Sequence, residues 1–306
     1  MMWIEIFYTI VFPVLLIFGI GYILGKIFHW HHQTLSTLSL YLLTPALIFQ
    51  AIYSHPEVIN LYFLRLLVVV SLLVALSFVL IWFIARFFKW EEGITRVVVL
   101  TTTLANTGNF GLPITEAAFG GEGLAVASLL LVIYSFFTHT FGVFVAAREK
   151  FHWKDALKAV SQVPVFYAIL VALLLVFLRV RLPDPVFKPI QMIGLSAIPL
   201  NLIQVGLQLA SVRFGKQSLF ACTISFVKLV VVPLVAIPLF WLLKVDGMYF
   251  KAGLLQIAMP SAVYTAILTT HYGGRSEVAS EIVFLSILMS TVTLTVWIGL
   301  LQRGFL

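Results

Sequence analysis

Charge is scarce in this chain: Asp, Glu, Lys and Arg make up 10% of its 306 residues, against 61% hydrophobic residues. Soluble domains carry ~25% charged and ~45–50% apolar residues. With a mean hydropathy of +1.09, the shortage excludes a soluble globular protein and predicts an integral membrane protein with no separate soluble domain. Cysteine is nearly absent too. Cys222 stands alone, so no intrachain disulfide can form, and cysteine carries no information about redox compartment. Acidic residues are missing from the centres of the apolar runs. The nearest, Glu116, follows Pro113 by one turn and is expected near the outer mouth, which argues against an antiporter built on a buried aspartate. No nucleophile–base pair, Walker loop or dinucleotide fingerprint occurs in a context that would support it, so neither an enzyme nor a cofactor is expected. Gly120-Gly121-Glu122-Gly123 reads as a short turn, too poor in context to cradle a phosphate. His29, His31 and His32 show H-x-H spacing without acidic or Cys partners; they read as an interfacial group, and no metal site is expected.

What the chain has is long apolar runs. Hydropathy predicts ten spans, over residues 4–28, 34–53, 61–88, 94–118, 122–147, 157–180, 186–211, 217–243, 248–271 and 278–302. The first is longer than a signal-peptide core, lacks a basic leader, and is followed by Lys26, so it reads as a retained helix. The net charge of +7 comes from Lys and Arg scattered at span ends, with no aromatic-rich basic face, and nucleic acid is not an expected partner. One side of the bilayer collects about 11 of these cations and the other about 7. The positive-inside rule puts the richer side in the cytoplasm and both termini outside, in a plasma (inner) membrane.

The fourth span is interrupted by Asn106-Thr107-Gly108-Asn109-Phe110-Gly111-Leu112-Pro113. Proline lacks an N–H and its ring clashes with the carbonyl four residues back. Broken backbone at membrane depth survives only where protein buries it or water reaches it, so the stretch is expected to line a cavity. Ten spans divide into five and five, residues 1–150 and 151–306, and an odd number per set makes the second set cross in the opposite sense. Pro45 in the second span and Pro199 in the seventh are each followed by a glutamine at plus five, Gln50 and Gln204. Pro113 in the fourth span is answered by Pro260 in the ninth, in Gln256-Ile257-Ala258-Met259-Pro260-Ser261-Ala262-Val263-Tyr264. Proline kinks are common in membrane helices, but matched interruptions in two halves point to a transport site.

Broken helices expose N–H groups at the start of their second halves, where partial positive charge suits an anion. Asn106 and Asn109 add amide donors for a carboxylate, while Asn109 could instead cap the broken helix. Gly108 and Gly111 allow close approach to the backbone. Gln256, Ser261, Tyr264 and Thr265 are the matching polar candidates of the second half. Lys228 is the one basic residue deep in a span, where charge costs at least ~2.5–3.5 kcal/mol. Its open roles are anion attraction, a proton-dependent switch, and an ammonium standing in for a bound cation; it could also snorkel to the interface.

The motif Asn106–Pro113, with Pro45, Leu202 to Ala210, and Lys228-Leu229 followed by Pro233, resembles the auxin efflux carrier family over the whole chain. That family includes plant PIN proteins and bacterial malate and malonate permeases. The resemblance implies an all-α polytopic fold of ten helices in a 5+5 inverted repeat, with helices four and nine broken and crossing at their prolines. It implies a scaffold of helices one, two, six and seven and a mobile transport domain of helices three to five and eight to ten. It also implies small organic anions as substrates, with the carboxylate on Asn106, elevator-type alternating access, and homodimers. Unlike the plant carriers, this chain has no large loop between its halves. Two other readings stay open: a sodium-coupled symporter of the bile-acid-carrier type, and a membrane sensor that binds an anion without moving it.

Overall fold

The computed structural model describes residues 2–28, 32–147, 152–210 and 217–304. His29 and His31, the side chain of His32, and Arg148, Lys150, Arg213 and Lys216 of the charge count lie outside the described residues, as does the boundary at residue 150. Among the described residues the chain is helical, with no strand beyond one isolated bridge. Seven helices among the described residues are long and apolar enough to cross a membrane. They are α1 (Trp3–Ile27), α2 (Thr34–Ser54), α3 (Leu61–Phe87), α5 (Thr107–Ala147), α8 (Asp184–Ala210), α9 (Ser218–Leu242) and α12 (Ser276–Arg303). Between them lie α4 (Glu92–Thr103), α6 (Trp153–Ser161), α7 (Pro164–Phe177), α10 (Gly247–Ile257) and α11 (Val263–His271).

The expected fourth and ninth spans are therefore each two half-helices, α4 with the start of α5, and α10 with α11. The expected sixth is only 14 residues long. The turn expected at Gly120 is a one-residue interruption inside α5: Gly120 holds φ 66° and ψ −158°, a region in effect open only to glycine.

Prolines shape the helices in a consistent way. Wide, π-helical turns at Phe7–Val11, Ser39–Leu43, Thr107–Gly111 and Val227–Val231 are each followed by a proline two residues on: Pro13, Pro45, Pro113 and Pro233. The extra residue in the turn relieves the clash between the ring and the carbonyl four positions back. Pro233 also leaves the Leu229 carbonyl without its helical donor, and the Trp297 indole N–H donates to it at 2.9 Å. That bond ties α9 to α12.

Two packing units meet at the cavity described below. In one, α8 lies along α1 and α2, and α7 lies on α2. The contact between α1 and α8 is backbone-close. A Cβ on Gly21 would run into the Ile203 carbonyl, and one on Gly206 into the Phe18 carbonyl. Small residues at such crossings are the usual device for helices that cannot rely on a hydrophobic drive in lipid. In the other unit α3, α4, α5 and α9–α12 pack together, with α10 against α5 and α9 against α12.

Candidate functional site

The site begins with the reason α4 stops. Its last turns read Val97-Val98-Val99-Leu100-Thr101-Thr102-Thr103, mostly β-branched residues that lose rotamer freedom in a helix. The three threonine hydroxyls donate back to the carbonyls of Val97, Val98 and Val99 at 2.8, 2.6 and 2.6 Å. Residues 104–106 then run non-helically before α5 begins. The second break, residues 258–262, lies directly against the first. Asn106 N donates to Pro260 O at 2.8 Å, and Ala262 N donates to Leu104 O at 3.0 Å, forming an antiparallel bridge between Ala105 and Ser261. Each broken backbone thus supplies the hydrogen bonds the other lacks, which lipid could not.

Several of the expected site residues hold this crossing together. Ser261 Oγ donates to Thr101 O at 2.7 Å, near the carbonyl end of α4, while Ser261 N donates to Ser286 Oγ at 3.1 Å. Gln256 Nε2 donates to Thr115 Oγ1 at 3.0 Å, and the Gln256 amide fills the space where a Cβ on Gly111 would stand. Thr265 Oγ1 donates to Ala262 O at 2.7 Å. Lys228 is fully buried, and its Nζ donates to the carbonyl of Ile257, the last residue of α10, at 3.0 Å. That bond satisfies one of the carbonyls left open at the end of the half-helix.

Beside the crossing lies a cavity of about 340 Å³. The first packing unit lines it with Ser36, Ser39, Thr44, Val163, Gln204 and Gln208; the second with residues 105–109, Leu131, Tyr134, Ser135, Thr138, His139 and residues 262–264. Of the expected residues it brings together Asn106, Gly108, Asn109 and Tyr264. Gly111, Pro113, Gln256, Pro260, Ser261, Thr265 and Lys228 are not among its lining residues and stand in the packing behind it.

The electrostatics come from backbone. No Lys, Arg, Asp or Glu lines the cavity among the described residues. Both α5 and α11 start at it, and neither N-terminus is closed by a side-chain cap. Asn106 stands at the N-cap position of α5, and its side chain makes no capping hydrogen bond. The Asn106 amide is buried, and its Nδ2 has no hydrogen-bond partner among the described residues. Gln204 donates from Nε2 to Ser36 Oγ at 2.7 Å, while its buried Oε1 has no partner among the described residues. One unpaired amide donor, Asn106 Nδ2, and two open helix starts around one space can bind an anion without a buried cation, while the unpaired Gln204 Oε1 is an acceptor and suits a hydroxyl or N–H donor on the same ligand.

Two features escaped the sequence reading. His139 Nδ1 lies 2.8 Å from Ser135 O, and its ring sits 5.6 Å from that of Tyr264. This pair separates the cavity from a second of about 270 Å³, which runs to His271 and Tyr272. A histidine inside an apolar span is a readable signal. Glu281 is also buried and accepts the Ser218 hydroxyl at 2.6 Å, although it stands near the start of its helix. On the exposed surface Arg275 NH2 donates to Glu91 Oε2 at 2.6 Å, and that carboxylate holds the guanidinium above its ordinary pKa.

A family model described as membrane transport protein matches residues 6–162 and 151–298. An uncharacterized transporter of Methanocaldococcus jannaschii is 27% identical over 301 residues, 94% of this chain and 96% of the relative. One of Methanothermobacter thermautotrophicus is 26% identical, again over 94% and 96% of the two chains. The uncharacterized transporter YfdV of Escherichia coli is 25% identical over 76% of this chain and 77% of its own length.

Proposed function

The chain belongs to the membrane transport protein family, the auxin efflux carrier family its motifs resemble, and from that premise we propose that this multi-pass membrane transporter carries a small organic anion, a mono- or dicarboxylate, by elevator-type alternating access. The observation that carries the reading is the unpaired Asn106 amide set between two uncapped helix starts in one cavity. Asn106 takes the carboxylate, Gly108 leaves the backbone N–H groups of α5 open to it, and Asn109 and Tyr264 flank it.

The moving parts follow from the walls of the cavity. Ten crossings in a 5+5 inverted repeat are reached when α4 with the start of α5, the rest of α5, and α10 with α11 are each counted as one. The first repeat ends near residue 150. Helices α1, α2, α7 and α8 form the scaffold, which is also the surface for a homodimer; α3–α5 and α9–α12 form the transport domain. The cavity lies on the seam between them, which supports sliding of one unit along the other. Its second chamber runs toward His271, beside the Lys/Arg-rich face. With that face in the cytoplasm of a plasma (inner) membrane and both termini outside, this is an inward-facing state.

Lys228 occupies the carbonyl end of α10, where a cation would otherwise bind, and this supports a carrier independent of sodium. The test is flux of labelled malate, malonate and indole-3-acetate in proteoliposomes, with imposed sodium or proton gradients and Asn106→Ala beside wild type. We expect sodium-independent flux of at least one of them, and roughly 10–100-fold weaker binding in the variant, the worth of a hydrogen bond to a charged group. Equal transport by both proteins removes Asn106 from the site. Ligand stabilisation without flux of any anion would make the protein a sensor.

A further inference from the structure

A second sizeable cavity lies away from the crossing. A groove of about 590 Å³ opens between the end of α3, the start of α4 and the end of α5. Its size falls within the ~300–1,000 Å³ of ligand clefts. Its apolar lining includes Phe78, Val99, Phe144 and Val145. The same groove is lined by Trp82, Trp90, Arg86 and Arg96, aromatic and cationic residue types that mark a headgroup layer.

The arginines are poorly matched by protein. Arg86 is exposed and has no ion pair among the described residues; its guanidinium lies 5.4 Å from the centroid of the Trp82 ring. Arg96 meets Glu92 at 3.6 Å and the Ala146 carbonyl at 3.5 Å, and its buried Nε has no hydrogen-bond partner among the described residues. Among the described residues Glu92 is the one carboxylate in the groove lining. Two cations over an apolar trough at the end of a membrane helix match one chemistry, a negative phosphate carrying acyl chains.

We propose that this groove holds an anionic phospholipid. Its phosphate sits on Arg86 and Arg96, and one acyl chain runs along Phe78, Val99 and Phe144. The lipid then bears on α4, whose opposite end is the first break of the crossing. Neutral lipids have the chains but not the net charge, and free phosphate has the charge but not the chains.

The experiment measures the unfolding midpoint and lipid adducts by native mass spectrometry, using the full chain in detergent. The probes are dioleoylphosphatidylglycerol, dioleoylphosphatidylcholine and inorganic phosphate. Phosphatidylglycerol alone is expected to raise the midpoint and to survive as an adduct, with the effect weakening at high salt. Arg86→Gln should weaken its binding about fivefold, the worth of one basic residue near an anionic lipid, and Arg86→Lys should recover part of that. Glu92→Gln should tighten binding, an effect that damage to the fold cannot imitate. Equal stabilisation by phosphatidylcholine overturns the proposal, as does an equal effect of inorganic phosphate, or unchanged phosphatidylglycerol affinity in both Arg86→Gln and Glu92→Gln. None of these readouts depends on transport.

Discussion

At the scale of single residues, the polar side chains near the crossing divide into those that are satisfied and those that are not. Gln256 through its amide nitrogen, Ser261, Thr265 and Lys228 spend hydrogen bonds on backbone or on each other's helices. Asn106 does not. The first group should therefore report on stability and the second on ligand. Lys228→Met would leave the Ile257 carbonyl buried without a donor, a loss of about 1–3 kcal/mol, read as a lower unfolding midpoint. An unchanged midpoint with flux abolished would move Lys228 from architecture to ligand chemistry. Sequence reading found all of these residues because each is a polar group in an apolar run. It could not separate the two groups, because a break destroys the helical period from which a side chain's facing is inferred. Gln204 and His139 escape sequence reading as site residues for the opposite reason: each lies inside a continuous helical run, and nothing nearby in the chain marks them as lining the same cavity as Asn106.

At the scale of elements, the breaks and bends have separate causes that can be tested apart. Gly120 is held by its backbone and not by crowding, since a Cβ there would meet nothing within 4 Å. Gly120→Ala should cost about 1–3 kcal/mol through φ alone, measurable as a lower unfolding midpoint. Gly206→Ala acts by contact, because its Cβ would collide with α1; it should destabilise the α1–α8 packing at unchanged helix content by circular dichroism. Trp297→Phe keeps an aromatic ring but strips the donor from the Leu229 carbonyl, and should cost about 1–3 kcal/mol. Element positions were largely readable from hydropathy, since long apolar runs admit few alternatives in a bilayer. The expected turn at Gly120 came out as one residue, because hydropathy records polarity and a glycine bend needs little of it.

At the scale of the molecule, the cavity wall made by two packing units predicts a sided accessibility. In a Cys222→Ala background, a cysteine at Ser36 should react with a membrane-impermeant maleimide only from the Lys/Arg-rich face, and a transported anion should slow the reaction. Labelling from the opposite face alone would reverse the proposed orientation. The bridge between Ala105 and Ser261 also has a consequence for biogenesis. A ribosome delivers Leu104, Ala105 and Asn106 to the bilayer long before their partners are made. Until residues 260–262 arrive, the first half carries open backbone groups at membrane depth, which a bilayer does not tolerate. Expressed alone, the first half should therefore be degraded or held by a chaperone, and co-expression with the second half as a separate chain should rescue it. A first half that accumulates stably by itself would show that the waiting groups find another partner.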